Sequence, residues 1–98
     1  MKLFDAIRNV SIDDTDMIER ITDCIDERIS WMEDREPESS GEVYDAWSEK
    51  YDDLSEIKDL LDQVLTPGTE DAADLLYEAV ADIETFQAVH GGLSRLKV

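Results

Sequence analysis

The chain has 98 residues and carries 26 Asp and Glu against 9 Lys and Arg, a formal net charge of −17. A chain of this length buries one core, so residues 1–98 are predicted to form a single acidic domain. The charge disfavours direct binding to nucleic acid or anionic lipid surfaces, because both present phosphates that a polyanion repels. No apolar run approaches the ~20 residues that a membrane-spanning helix needs.

The composition favours a folded protein. High net charge can prevent folding, but 42% of the residues are hydrophobic and they recur with helical spacing. Cys24 is the only cysteine, so an internal disulfide is excluded and the cytoplasm is the expected location.

Two helices are predicted in the first third of the chain. The first is a short amphipathic N-terminal helix with the apolar residues Leu3, Phe4, Ile7 and Val10. The second runs from about Asp14 to Arg35, and Ser11 with Asp14 has the spacing of a capping box. Its apolar stripe is Ile18, Ile21, Ile25, Ile29 and Met32.

Two further long helices are predicted after the loop at residues 36–41. Ser39 and Glu42 have capping-box spacing at the start of one, and Thr69 is the expected cap of the other. The stripe of the first comprises Val43, Trp47, Tyr51, Leu54, Ile57, Leu61, Val64 and Leu65. The stripe of the second comprises Ala72, Leu75, Leu76, Ala79, Val80, Ile83, Phe86 and Val89. Gly91 can take the left-handed conformation that ends a helix.

Three long helices with short connections predict an all-α fold, an antiparallel three-helix bundle with a short N-terminal helix. Leu93, Leu96 and Val98 form an apolar tail that packs either on the bundle or on a second copy, which leaves a homodimer open. Trp31 and Tyr44 flank the loop at residues 36–41 and serve either as core residues or as anchors for a partner.

The acidic residues are arranged in rows. The carboxylate ridge of the second long helix, spaced by four, three, four and three residues, is Asp45, Glu49, Asp52, Glu56 and Asp59. The acidic triplet of the third long helix is Asp71, Asp74 and Glu78. Like charges at these spacings destabilise an isolated helix. One explanation is mimicry, in which the carboxylates occupy a groove built for phosphates. The alternatives are an ordinary solvated face and adaptation to high salt.

An enzymatic interpretation rests on acidic pairs that could hold Mg²⁺. The candidate pairs are Glu49 with Asp52, Glu56 with Asp59, and Asp71 with Asp74. They resemble the acidic pairs of all-α nucleotide pyrophosphohydrolases of the MazG kind, but no cluster of Lys and Arg lies near them in sequence to hold a substrate's phosphates. We therefore expect no catalytic residue, metal or cofactor, and interpret His90 as a last-turn residue and Cys24 as a packing residue.

By size, charge and helical content, the whole chain resembles the phage and mobile-element inhibitors that mimic nucleic acid, including anti-CRISPR and anti-restriction proteins. The resemblance implies a non-enzymatic inhibitor that acts in the host-cell cytoplasm on the basic groove of a nuclease or nucleic-acid-binding complex. The carboxylate ridge and the acidic triplet are the predicted contact residues. The alternative is a structural or adaptor module, self-associating through its apolar terminal segments, whose acidity serves solubility.

Overall fold

The computed structural model describes residues 1–38 and 40–98 and consists of helices. They are α1 (Leu3–Asn9), α2 (Thr15–Glu33), α3 (Glu42–Leu65), α4 (Ala72–His90) and a 3₁₀ helix at Leu93–Arg95. No β-strand occurs in the described residues, so the predicted all-α class is confirmed. Ser39, predicted to cap the second long helix, lies outside the described residues. Within the described residues, no helix has the combined length and apolar character needed to cross a bilayer.

The start of α2 is fixed by one carboxylate. Oδ1 of Asp14 accepts a hydrogen bond from the backbone N–H of Met17 at 3.1 Å, which satisfies a donor that the first turn leaves free. The predicted capping box with Ser11 is wrong. The Ser11 hydroxyl instead accepts from the N–H of Asp13 at 3.3 Å, in the turn that precedes the helix.

The predicted cap of α4 is also wrong. The Thr69 hydroxyl lies 2.9 Å from the carbonyl oxygens of both Gln63 and Thr66, so it closes the turn that ends α3. Asp71 takes the N-cap position of α4 and makes no side-chain hydrogen bond there. Its carboxylate remains next to the helix N-terminus, where a negative charge is favoured.

One apolar core joins the helices, and the predicted stripes supply most of it. The fully buried large side chains are Leu3, Ile18, Ile21, Ile25, Leu54, Ile57, Leu61, Ile83 and Leu93. Two stripe residues were predicted wrongly, because Val43 is 74% exposed and Val89 is 66% exposed. Both lie in the end turns of their helices, Val43 at the edge of an open pocket and Val89 at the edge of a narrow cleft.

α3 packs against both α2 and α4, while α1 packs on α2 and on the 3₁₀ helix. The two terminal segments also pair through their backbones, since the N–H of Leu3 donates to the carbonyl of Leu96 at 3.0 Å and the N–H of Val98 donates to that of Met1 at 2.8 Å. Leu93 is fully buried. The apolar tail therefore packs on its own bundle.

Cys24 is buried under this tail. Its Sγ lies 2.9 Å from the carbonyl oxygen of Lys97. Burial raises the pKa of the Cys24 thiol, and the negative charges of Glu27 and Asp23 raise it further. The thiolate is the reactive form of cysteine, so both the position and the pKa favour a packing role.

The aromatic residues around the loop at residues 36–41 divide into two groups. Trp47 stacks on Tyr51 with ring centroids 5.1 Å apart, packs against the core and donates its indole N–H to the carbonyl of Met32 at 2.8 Å. Tyr44 is half-buried with its ring 5.7 Å from that of Trp47. Trp31 forms the second group, because 42% of its surface is exposed whereas Tyr44, Trp47 and Tyr51 are half-buried.

Candidate functional site

The carboxylate ridge follows the outer face of α3. Its five residues are all exposed, whereas Leu54, Ile57 and Leu61 on the other side of the helix are buried. The alternating spacing of three and four residues keeps the five carboxylates on one line, because it matches the helical period of 3.6. The residues of the predicted ridge are therefore presented together.

The acidic triplet is exposed in the same way on α4. Asp71 stands at the helix N-terminus, and Asp74 and Glu78 follow along the solvent-facing side. The sequence contains no Lys or Arg from position 59 to position 94. The outer surface of α4 therefore has negative charge without a basic residue of its own to balance it.

Asp82 connects these two surfaces, although it was not among the predicted contact residues. It lines a cleft of about 120 Å³ between α3 and α4 together with Asp53 and Glu56. Glu56 belongs to the carboxylate ridge, and Asp82 lies one turn beyond Glu78 on α4. The cleft extends the acidic surface from one helix to the next.

Few of the acids lie in contact with a basic side chain. Among the described residues, Lys58 lies 3.2 Å from Asp62 and 3.9 Å from Asp26, and His90 lies 2.9 Å from Asp53. The hydrogen bond to Asp62 raises the pKa of Lys58, with further contributions from nearby carboxylates. No residue of the carboxylate ridge or the acidic triplet takes part in an ion pair within the described part of the chain.

His90 has a more specific environment than the sequence predicts. It is the last residue of α4, and its side chain is only 9% exposed. Nε2 faces Oδ2 of Asp53 on α3 at 2.9 Å, and the imidazole also packs on the ring of Phe86 with centroids 4.7 Å apart. The contact between His90 and Asp53 links the C-terminal end of α4 to α3.

Glu49, Asp53 and His90 are the described residues best placed to hold a metal ion together. Each offers one ligand atom, and these atoms lie within 4.8 Å of one another. Two carboxylates and an imidazole suit a divalent transition metal. However, Asp53 already satisfies the imidazole directly, so the geometry is explained without a cation. Of the residues in the three predicted Mg²⁺ pairs, only Glu49 belongs to this group, and no pair has both of its members in such a group among the described residues.

Comparison with protein-family models, with curated proteins and with solved structures finds no match for this chain.

Proposed function

We propose that this protein is a non-enzymatic acidic inhibitor that binds the nucleic-acid-binding groove of a host defence nuclease or a related complex. It acts in the cytoplasm, that of the host cell where the chain is phage-encoded. The observation that carries the proposal is the exposure of all eight residues of the carboxylate ridge and the acidic triplet, none of them in an ion pair within the described residues.

The geometry of the ridge supports binding to a surface that normally holds phosphates. At 1.5 Å per residue, Asp45 and Asp59 are separated by about 21 Å along the helix axis, with one carboxylate roughly every 5 Å. Lys and Arg in a partner's groove can pair with such a line, and release of counterions and complementary charge then supply affinity and rate. The carboxylates stand on a formed helix, so binding does not require that segment to fold.

The bundle topology in this proposal is antiparallel, with α1 as a short helix beside α2. Between α2 and α3, Trp47 contacts Met32 and Lys58 contacts Asp26, so residue numbers fall on one helix as they rise on the other. A six-residue connection follows α3, and α4 returns so that its last residue lies beside Asp53. This arrangement places the acidic outer faces of α3 and α4 next to each other.

The proposal predicts a partner that nucleic acid displaces. We expect the immobilised protein to capture a nuclease or another nucleic-acid-binding complex from a bacterial lysate at moderate salt, with the bound proteins identified by mass spectrometry. Competing DNA or RNA should remove this partner, because both ligands use the same basic groove. A partner that remains bound under an excess of competitor would contradict mimicry.

One observation favours the alternative of a self-associating or adaptor module. A groove of about 280 Å³ between helix α4 and the end of α1 with the segment that follows it is lined by apolar side chains. They include Ile7, Val10, Ile12, Leu76 and Val80, and Tyr77 beside them is 80% exposed. An exposed apolar groove of this kind is a candidate contact surface.

We expect sedimentation velocity to show a monomer from micromolar to millimolar concentration if the acidic surface is the functional one. A dimer that forms with rising concentration and is lost in Tyr77→Ser would favour the alternative. Val89→Ser is the matched control, because it removes an exposed apolar side chain from the same helix outside this groove.

A further inference from the structure

A half-open pocket of about 530 Å³ lies where α2, α3 and α4 meet the turn at Gly91–Gly92. Three of the nine Lys and Arg of the chain line it, Arg28 and Arg35 from α2 and Lys50 from α3. In a protein with a net charge of −17, this is a local excess of positive charge.

The guanidinium groups of both arginines pack against the indole ring of Trp31. The guanidinium carbons of Arg28 and Arg35 lie 4.0 Å and 4.1 Å from the centre of the indole ring, within the range of a cation–π interaction. Arg35 also donates from Nη1 to the carbonyl of Trp31 at 3.2 Å. The spacing of these residues, i, i+3 and i+7, places them on one face of α2.

Arg28 is further confined by the turn after α4. A Cβ at position 92 would lie 2.7 Å from its Nη2, so the Arg28 side chain packs closely on the backbone of this turn, and the φ of +89° at Gly92 favours glycine there. Nε of Arg28 is buried and has no hydrogen-bond partner among the described residues. A buried donor without a partner is rare in proteins, and this one marks Arg28 as a residue whose hydrogen bonding is incomplete within the described residues.

The positive charges of the pocket also lack a compensating carboxylate. Within the described residues none of the three bases forms an ion pair, and Glu42 is the one acid in the lining. Burial lowers the pKa of Arg28, and the charges of Arg35 and Arg95 lower it further, so like charges are close together here. A bound anion would relieve this repulsion.

Apart from Glu42 and His90, the remaining side chains that line the pocket are apolar. Met32 and Phe86 are buried, Trp47 is half-buried, and Val43 stands at the rim. The volume is in the range of small-molecule sites, which combine an apolar lining with a few polar groups that fix orientation. Guanidinium groups bind carboxylate and phosphate oxygens in pairs, and aromatic walls favour a planar apolar body.

We infer that this pocket is a binding site for a small organic anion that carries one carboxylate or phosphate group on an aromatic body. The oxyanion contacts Arg28, Arg35 and Lys50, and the aromatic body packs against the apolar wall. The site uses α3 residues from the side that faces the bundle, whereas the carboxylate ridge faces outward. The inference therefore does not depend on the proposed function.

The test uses naphthalene-2-carboxylate and 2-naphthyl phosphate as probes, with naphthalene-2-methanol as the uncharged control and inorganic phosphate as the control without an aromatic body. Both tryptophans of the chain line the pocket, so their fluorescence and indole N–H resonances report occupancy. We expect calorimetry to give a dissociation constant on the order of 1 mM or tighter for at least one charged probe. The alcohol and inorganic phosphate should each bind roughly tenfold more weakly.

Variants of the whole chain then assign the contact. Arg35→Gln and Lys50→Gln are each expected to weaken binding of the charged probe roughly tenfold and to leave that of the alcohol unchanged. Arg20→Gln removes the same charge from the exposed side of α2 outside the pocket and should change affinity less than about twofold. Circular dichroism during thermal unfolding verifies that each variant is folded.

Three results would overturn the inference. One is the absence of binding by both charged probes at millimolar concentration. Another is equal affinity for the charged probe and the alcohol, since the cations would then play no part. The third is a loss of affinity for the charged probe in Arg20→Gln as large as the loss in Arg35→Gln, which would indicate a general effect of net charge.

Discussion

Replacing the five carboxylates of the ridge by amides is expected to slow association with the proposed basic partner strongly while making the isolated protein more stable. The substitutions are Asp45→Asn, Glu49→Gln, Asp52→Asn, Glu56→Gln and Asp59→Asn. Association steered by charge can be faster than neutral association by a factor of 10 to 10³, so a loss of roughly that size is expected at low salt. Stability should rise by a few tenths of a kcal/mol for each like-charged pair removed from the helix.

Surface plasmon resonance against the captured partner measures the rates, and urea unfolding measures the stability. The matched control neutralises four exposed acids of α2 and the exposed acid at its C-cap, so that both variants lose the same charge. Its substitutions are Asp16→Asn, Glu19→Gln, Asp23→Asn, Glu27→Gln and Asp34→Asn. If position matters, the α2 variant keeps most of its affinity. Equal losses of affinity in the two variants would show that net charge, and not the position of the ridge, controls binding.

The substitution with the largest expected effect on stability is Leu61→Ala. Leu61 is fully buried on α3, the helix that packs against both α2 and α4. Removing its side chain loses apolar burial and leaves a cavity, which typically costs about 2–5 kcal/mol. Small domains have about 5–15 kcal/mol of total stability. We therefore expect a large decrease in the urea midpoint with little change in the slope of the transition.

Val43→Ala is the control for this experiment. Sequence periodicity places Val43 in the same apolar stripe as Leu61, but its side chain is 74% exposed. An exposed substitution of this kind should change the free energy of unfolding by less than about 0.5 kcal/mol. If Val43→Ala and Leu61→Ala lower the free energy of unfolding by comparable amounts, the side chain of Val43 is covered in solution, for example by a second copy.

The sequence predicted the helices well because the apolar spacing of this chain is regular. It failed at Val43 and Val89 for a reason that concerns position along the helix axis. Periodicity reports the direction in which a side chain points around its helix. It does not report whether another helix extends far enough to cover that turn, and at these two end turns the neighbouring surface is open.

Features of the candidate sites that lie on one helix could be predicted from the sequence, whereas features that depend on the packing of two helices could not. Exposure of the carboxylate ridge follows from its spacing on one helix opposite a buried stripe. The contact between His90 and Asp53 joins residues 37 positions apart, so it depends on the register between α3 and α4. The spacing of Arg28, Trp31 and Arg35 was visible in the sequence, but the addition of Lys50 required the packing of α3 against α2.

The gathering of Arg28, Arg35 and Lys50 on the bundle side of α3 has a consequence for the molecule as a whole. Around the axis of α3 the charges are separated, with Lys50 on the side that faces the bundle and the carboxylate ridge on the solvent side. Under the proposed function, a basic partner would be attracted more strongly to the ridge side of α3, where no carboxylate of the ridge is in an ion pair within the described residues.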